Sequence, residues 1–169
     1  MDATSYKHNQ VETALVAAFD ILPDLLPAFR GRLRHLRKHG VPDLPAVGRG
    51  GVVQYSTQDV VELVVALELE AIGIPPARTP AIITNARSHV PMQLELIRAS
   101  REGDLWFVIA PDVFYGAWNR SFLCRSDVVD ARVADFQKEY HRVSATDLGL
   151  RLKRTIDCIR ETEPTKRGP

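Results

Sequence analysis

Cysteine is nearly absent. The 169 residues hold only Cys124 and Cys158, far apart and in no Cys-x-x-Cys arrangement. That excludes a disulfide framework and a cysteine zinc site, and it suits a reducing compartment. Long apolar runs are missing too. The best candidate, residues 60–74, is interrupted by Glu62, Glu68 and Glu70, well short of the ~18 to 20 apolar residues a membrane span needs. The first ten residues are polar and contain Asp2, unlike a signal peptide. These absences lead to the expectation of a cytoplasmic protein with no membrane partner. Charge of one sign is not in excess either. The chain carries 22 basic and 21 acidic residues, for a net charge of +1. Any polyanion must therefore be met by a local concentration of charge. No Gly-x-Ser-x-Gly, Gly-x-Gly-x-x-Gly or paired-carboxylate signature appears, so neither an enzyme nor a cofactor is expected. Sustained heptads are also lacking, which excludes a long coiled coil.

What is present reads as a mainly helical protein with short strands. Residues 1–10 and 161–169 read as polar tails. Val11, Leu15, Ala18, Phe19 and Leu22 recur at helical spacing, predicting a helix over residues 11–22 that Pro23 stops. Phe29, Leu33 and Leu36 form the apolar stripe of a second helix over residues 28–39, with Gly40 suited to its C-terminal cap. Residues 41–55 contain Pro42, Pro45, Gly48, Gly50 and Gly51 and then the β-prone run Val52-Val53-Gln54-Tyr55. They predict two short strands joined by a glycine turn. Ser56 and Asp59 have the spacing of a capping box, and Val60, Leu63, Val64 and Leu67 give the next helix a wide apolar face. Pro75 and Pro76 open a fourth helix near residues 77–88. Beyond Pro91, strands are predicted near residues 105–110 and 120–125, and helices over 128–140 and 145–159, the last with Ser144 as its cap.

Charge is concentrated on the second helix. Arg30, Arg32, Arg34, Arg37 and Lys38 fall within nine residues, with His35 between them, and no acidic residue occurs between Asp24 and Asp43. A helix with one buried stripe and guanidinium groups elsewhere fits the major groove of B-DNA, where arginine binds guanine or clamps phosphate. Arg49 tips the Gly48-Arg49-Gly50-Gly51 turn, where it can reach a neighbouring phosphate. His35 and His39 have metal-compatible helical spacing, but their neighbours are cations and no metal site is expected.

The order helix, turn, helix, two-stranded wing, helix, helix is similar to the MerR-type winged helix-turn-helix. The resemblance rests on Leu33-Arg34-His35-Leu36-Arg37-Lys38-His39-Gly40-Val41-Pro42, on the glycine–arginine turn, on Tyr55-Ser56-Thr57-Gln58-Asp59-Val60 and on Leu67-Glu68-Leu69-Glu70-Ala71-Ile72-Gly73-Ile74-Pro75. It spans roughly 70 residues. It implies a sequence-specific, DNA-binding homodimer in the nucleoid that regulates transcription, with double-stranded DNA and the transcription machinery as partners. Arg34, Arg37 and Lys38 would then lie on the recognition helix, Arg49 in the wing and Tyr55 at the wing–helix junction. Two alternatives stay open at this point. One is a structural or recombination factor of the excisionase-like or terminase-recruiting kind; the other is a protein-interaction module that has lost DNA binding.

The fold class expected is thus mainly α with a short β wing. A winged helix-turn-helix over residues 11–90 would be followed by a small α+β region over residues 91–160. Trp106, Phe107, Phe114, Tyr115 and Trp118 concentrate in that second region. Aromatic residues there can form a core, a dimer interface or a ligand pocket. With no coiled coil available, dimerisation is the function assigned to it.

Overall fold

The computed structural model describes residues 5–45, 53–86, 105–109, 121–139 and 144–162. The first described element is a strand. β1 (Ser5–Lys7) runs antiparallel to β2 (Gln54–Ser56), with Tyr6 directly opposite Tyr55. Both rings are buried, and aromatic cross-strand pairs of this kind stabilise a short ladder. Residues 5–10 are therefore not part of a tail. A three-residue strand with one apolar side chain is too short to show alternation in sequence.

This pairing also departs from the expected wing. The β-prone run does form a strand, but β2 pairs with the N-terminus and not with residues 41–45, which form no strand. The glycine turn itself, residues 46–52, lies outside the described residues.

Helix α1 (His8–Ala18) starts where the Gln10 side chain accepts the Lys7 backbone N–H at 2.8 Å. It ends earlier than its apolar spacing predicts. Asp20 takes a left-handed conformation (φ 51°), and the Ile21 N–H returns to the Val16 carbonyl at 3.0 Å. The same motif closes α2 (Leu26–Lys38) and α3 (Thr57–Ala71). There Gly40 (φ 77°) and Gly73 (φ 96°) turn left-handed, and the N–H groups of Val41 and Ile74 reach Leu36 and Leu69 at 3.0 Å. Each satisfies carbonyls that a helix end leaves free, and the buried Val41 and Ile74 supply the accompanying apolar contact. A 3₁₀ turn (Pro23–Leu25) separates α1 from α2.

Helix α3 is the centre of the molecule. Ser56 and Asp59 form the expected capping box: the Asp59 N–H donates to Ser56 Oγ at 3.2 Å, and the Ser56 N–H to Asp59 Oδ2 at 2.6 Å. From Val60 to Glu70 every residue is buried, so the helix is enclosed on all sides rather than along one stripe. It packs against α2, β2, α4 (Thr79–Ala86) and the last helix, α6 (Leu148–Glu161).

The C-terminal elements form a three-stranded antiparallel sheet. β3 (Leu105–Ile109) lies between β4 (Ser121–Arg125) and β5 (Ser144–Asp147), and helix α5 (Ser126–Glu139) follows β4 directly. Residues 144–147 are strand, not the first helical turn that Ser144 would cap. They satisfy the second edge of β3, a demand that local propensity does not register. Helix α6 then crosses to the N-terminal helices. It packs along α1 and against α3, and its Leu152 and Ile159 join the same core as Leu15, Leu36 and Leu63. Among the described residues, no helix is long and apolar enough to cross a membrane.

Candidate nucleic-acid interface

Phe29, Leu33 and Leu36 bury one side of α2 against the core, as their spacing predicts. The cations around that stripe then separate into two groups. Three are engaged internally. Arg30 donates from Nε to Glu12 Oε1 on α1 at 2.7 Å. Arg32 Nε lies 3.0 Å from Glu70 Oε2 on α3, an ion pair without hydrogen-bond alignment. Arg37 donates to the Tyr55 hydroxyl at 3.4 Å. Arg34 and Lys38, one helical turn apart, are exposed and form no ion pair or hydrogen bond with the described residues. With Arg30 they follow i, i+4, i+8 spacing along one flank of the helix, and α2 contributes no carboxylate to it.

Tyr55 does not face outward. Its side chain is buried, and its hydroxyl meets both Arg37 and His8 Nδ1, the latter at 3.1 Å. Its part in an interface would be to position Arg37, not to touch a ligand. Burial, and then the Arg37 charge, hold His8 below the ordinary imidazole range, so the ring meets Tyr55 mainly as neutral imidazole near neutral pH. The His35 and His39 rings meet tilted at 50°, with their centroids 4.5 Å apart. His35 Nε2 is buried with no hydrogen-bond partner among the described residues.

Of the aromatic residues, Trp106 is half-buried on β3, where it pairs with Cys124 on one side and Asp147 on the other. The Phe107 side chain lies outside the described residues, as do Phe114, Tyr115, Trp118 and Arg49, which was expected in the wing.

Two contacts had no counterpart in the sequence reading. The first is the Glu70 carboxylate, which is 1% exposed. Desolvation raises its pKa above the ordinary carboxyl value, and Arg32 and then His35 offset part of that. A raised folded-state pKa means that the stabilising contribution of the neutral acid is complete below the unfolded pKa and is lost as pH rises through the folded one. Glu70→Gln removes that loss. The stability of the variant relative to the parent should therefore grow as pH rises from the ordinary carboxyl range towards neutrality. Urea denaturation at a series of pH values checks this, and parallel pH profiles would show that Glu70 titrates normally.

The second is Arg151 on α6. Its guanidinium reaches the Ala18 carbonyl at the end of α1, pairs with the buried Glu68 of α3 at 3.0 Å, and stacks 4.9 Å from the Phe19 ring centre. Asp20 lies 3.8 Å away. A cation there also meets the negative end of the α1 dipole. The available signal was the set of glutamates in an otherwise apolar helix, which required countercharges from elsewhere in the chain. No protein-family model matches the sequence, and no curated protein matches it.

Proposed function

We propose that the protein binds double-stranded DNA through the outward face of α2, and that it is a sequence-specific transcriptional regulator acting as a homodimer. The observation that carries this reading is the pair Arg34 and Lys38. Both are exposed on a helix whose other arginines are tied to internal partners. Exposed cations that no described residue engages, on a flank to which α2 adds no carboxylate, complement a phosphate backbone. The order of helices α1, turn, α2, α3, α4 is the one the MerR-type resemblance expects, in which the second helix is the reader. The sheet carrying Trp106 is the surface assigned to dimerisation.

Fragmented genomic DNA passed over the purified protein at two salt concentrations tests the reading. Retention of a few fragments sharing an inverted repeat, surviving the higher salt, is expected of a sequence-specific dimer. No retention at either salt would overturn it in favour of a protein-interaction module.

A further inference from the structure

Gly31 is the sixth residue of α2 and sits among Arg30, Arg34 and Lys38. At about 100° per residue, it points away from the core stripe of Phe29, Leu33 and Leu36. Glycine is the least favourable residue in a helix interior apart from proline. It is usually explained there by a close neighbour or by unusual backbone, and neither applies here. A Cβ built at Gly31 would meet no atom within 4 Å, and its φ is not left-handed. Nothing inside the described molecule requires the missing side chain.

The geometry points to Gly31 as the point of closest approach between α2 and a DNA duplex, an inference that rests on the function proposed above. Removing one side chain from the outermost row of a helix lets its backbone sit deeper against a partner. The flanking Arg34 and Lys38 identify that partner as a polyanion. Their separation along one helix face suits two phosphates of a groove wall, with the Gly31 backbone about one turn to the N-terminal side of Arg34. The outward position of Gly31 sets how far the helix enters the groove, and so how closely Arg34 and Lys38 approach the duplex.

The test uses the full chain with Gly31→Ala and Gly31→Leu. The probe is a fluorescently labelled duplex of mixed sequence, alongside single-stranded RNA of the same sequence. Both variants are better helix formers, so their Tm should rise by about 2–4 °C. Duplex affinity should nevertheless fall about tenfold for alanine and further for leucine, with an unchanged salt slope because no charge is altered. Loss of affinity in a more stable protein separates steric exclusion from misfolding. The inference is overturned if both variants bind the duplex as the parent does, if affinity falls only in step with Tm, or if RNA is the preferred ligand. If the parent protein binds no duplex, the DNA reading of α2 fails and the inference fails with it. If the parent binds and the Gly31 variants match it, the DNA reading stands and only the role of Gly31 is lost.

Discussion

Arg151→Ala should destabilise the protein by about 3 kcal/mol and lower its Tm by roughly 6–12 °C. The reason is the environment of Glu68, whose side chain is 8% exposed. Removing the guanidinium takes the Arg151 countercharge from a buried carboxylate, and it also frees the Ala18 carbonyl and uncovers the Phe19 ring. Deleting one partner of such a pair is far more damaging than replacing both. The double variant Arg151→Met/Glu68→Leu should accordingly recover much of the loss. Arg151→Lys should fall in between, because an ammonium keeps the charge but cannot bridge carboxylate, carbonyl and ring with one planar group. Urea unfolding followed by circular dichroism measures all three. A single alanine variant within about 0.5 kcal/mol of the parent, the range of an ordinary surface change, would show that the contact is ornamental. The consequence reaches beyond stability. Arg151 fastens the C-terminal helix to the end of α1, immediately before the turn into α2. Amide exchange in α6 should rise sharply in the alanine variant.

The second large effect concerns DNA. Arg34→Ala/Lys38→Ala should reduce duplex affinity by about 10- to 100-fold at moderate salt. Each lost phosphate contact also lowers the salt slope by about one unit. Stability should stay within about 0.5 kcal/mol, since neither side chain holds anything among the described residues. Arg32→Ala provides the contrast. It is a cation of the same helix, but its loss orphans the buried Glu70 and should be read mainly in unfolding. Should Arg34 read a guanine rather than a phosphate, its single alanine variant will relax specificity at one base pair instead of weakening all sequences evenly. A double variant that folds and binds like the parent would remove α2 from the interface.

The local grammar of the chain was legible in advance. The capping box of Ser56 and Asp59, the glycine termination at Gly40, and the buried stripe of Phe29, Leu33 and Leu36 each depend on residues within a few positions of one another. Short-range hydrogen bonding and helical periodicity decide such features, and both are written into adjacent residues. The concentration of cations on α2 was equally plain, as was the helical character of most of the chain.

Partner choice across long sequence separations belonged to the tertiary structure alone. β1 exists because Tyr6 finds Tyr55, 49 positions along the chain. The strand at residues 144–147 follows from a neighbour, β3, that spacing rules do not see. The sorting of the arginines was decided in the same way. Sequence showed five cations on one helix, but only the packing of α1, β2 and α3 set Glu12, Tyr55 and Glu70 beside three of them and left Arg34 and Lys38 facing outward. Arg151 and Glu68 lie 83 residues apart. A buried carboxylate demands a countercharge, and the sequence shows that demand; which arginine answers it depends on where the folded core brings the chain back upon itself.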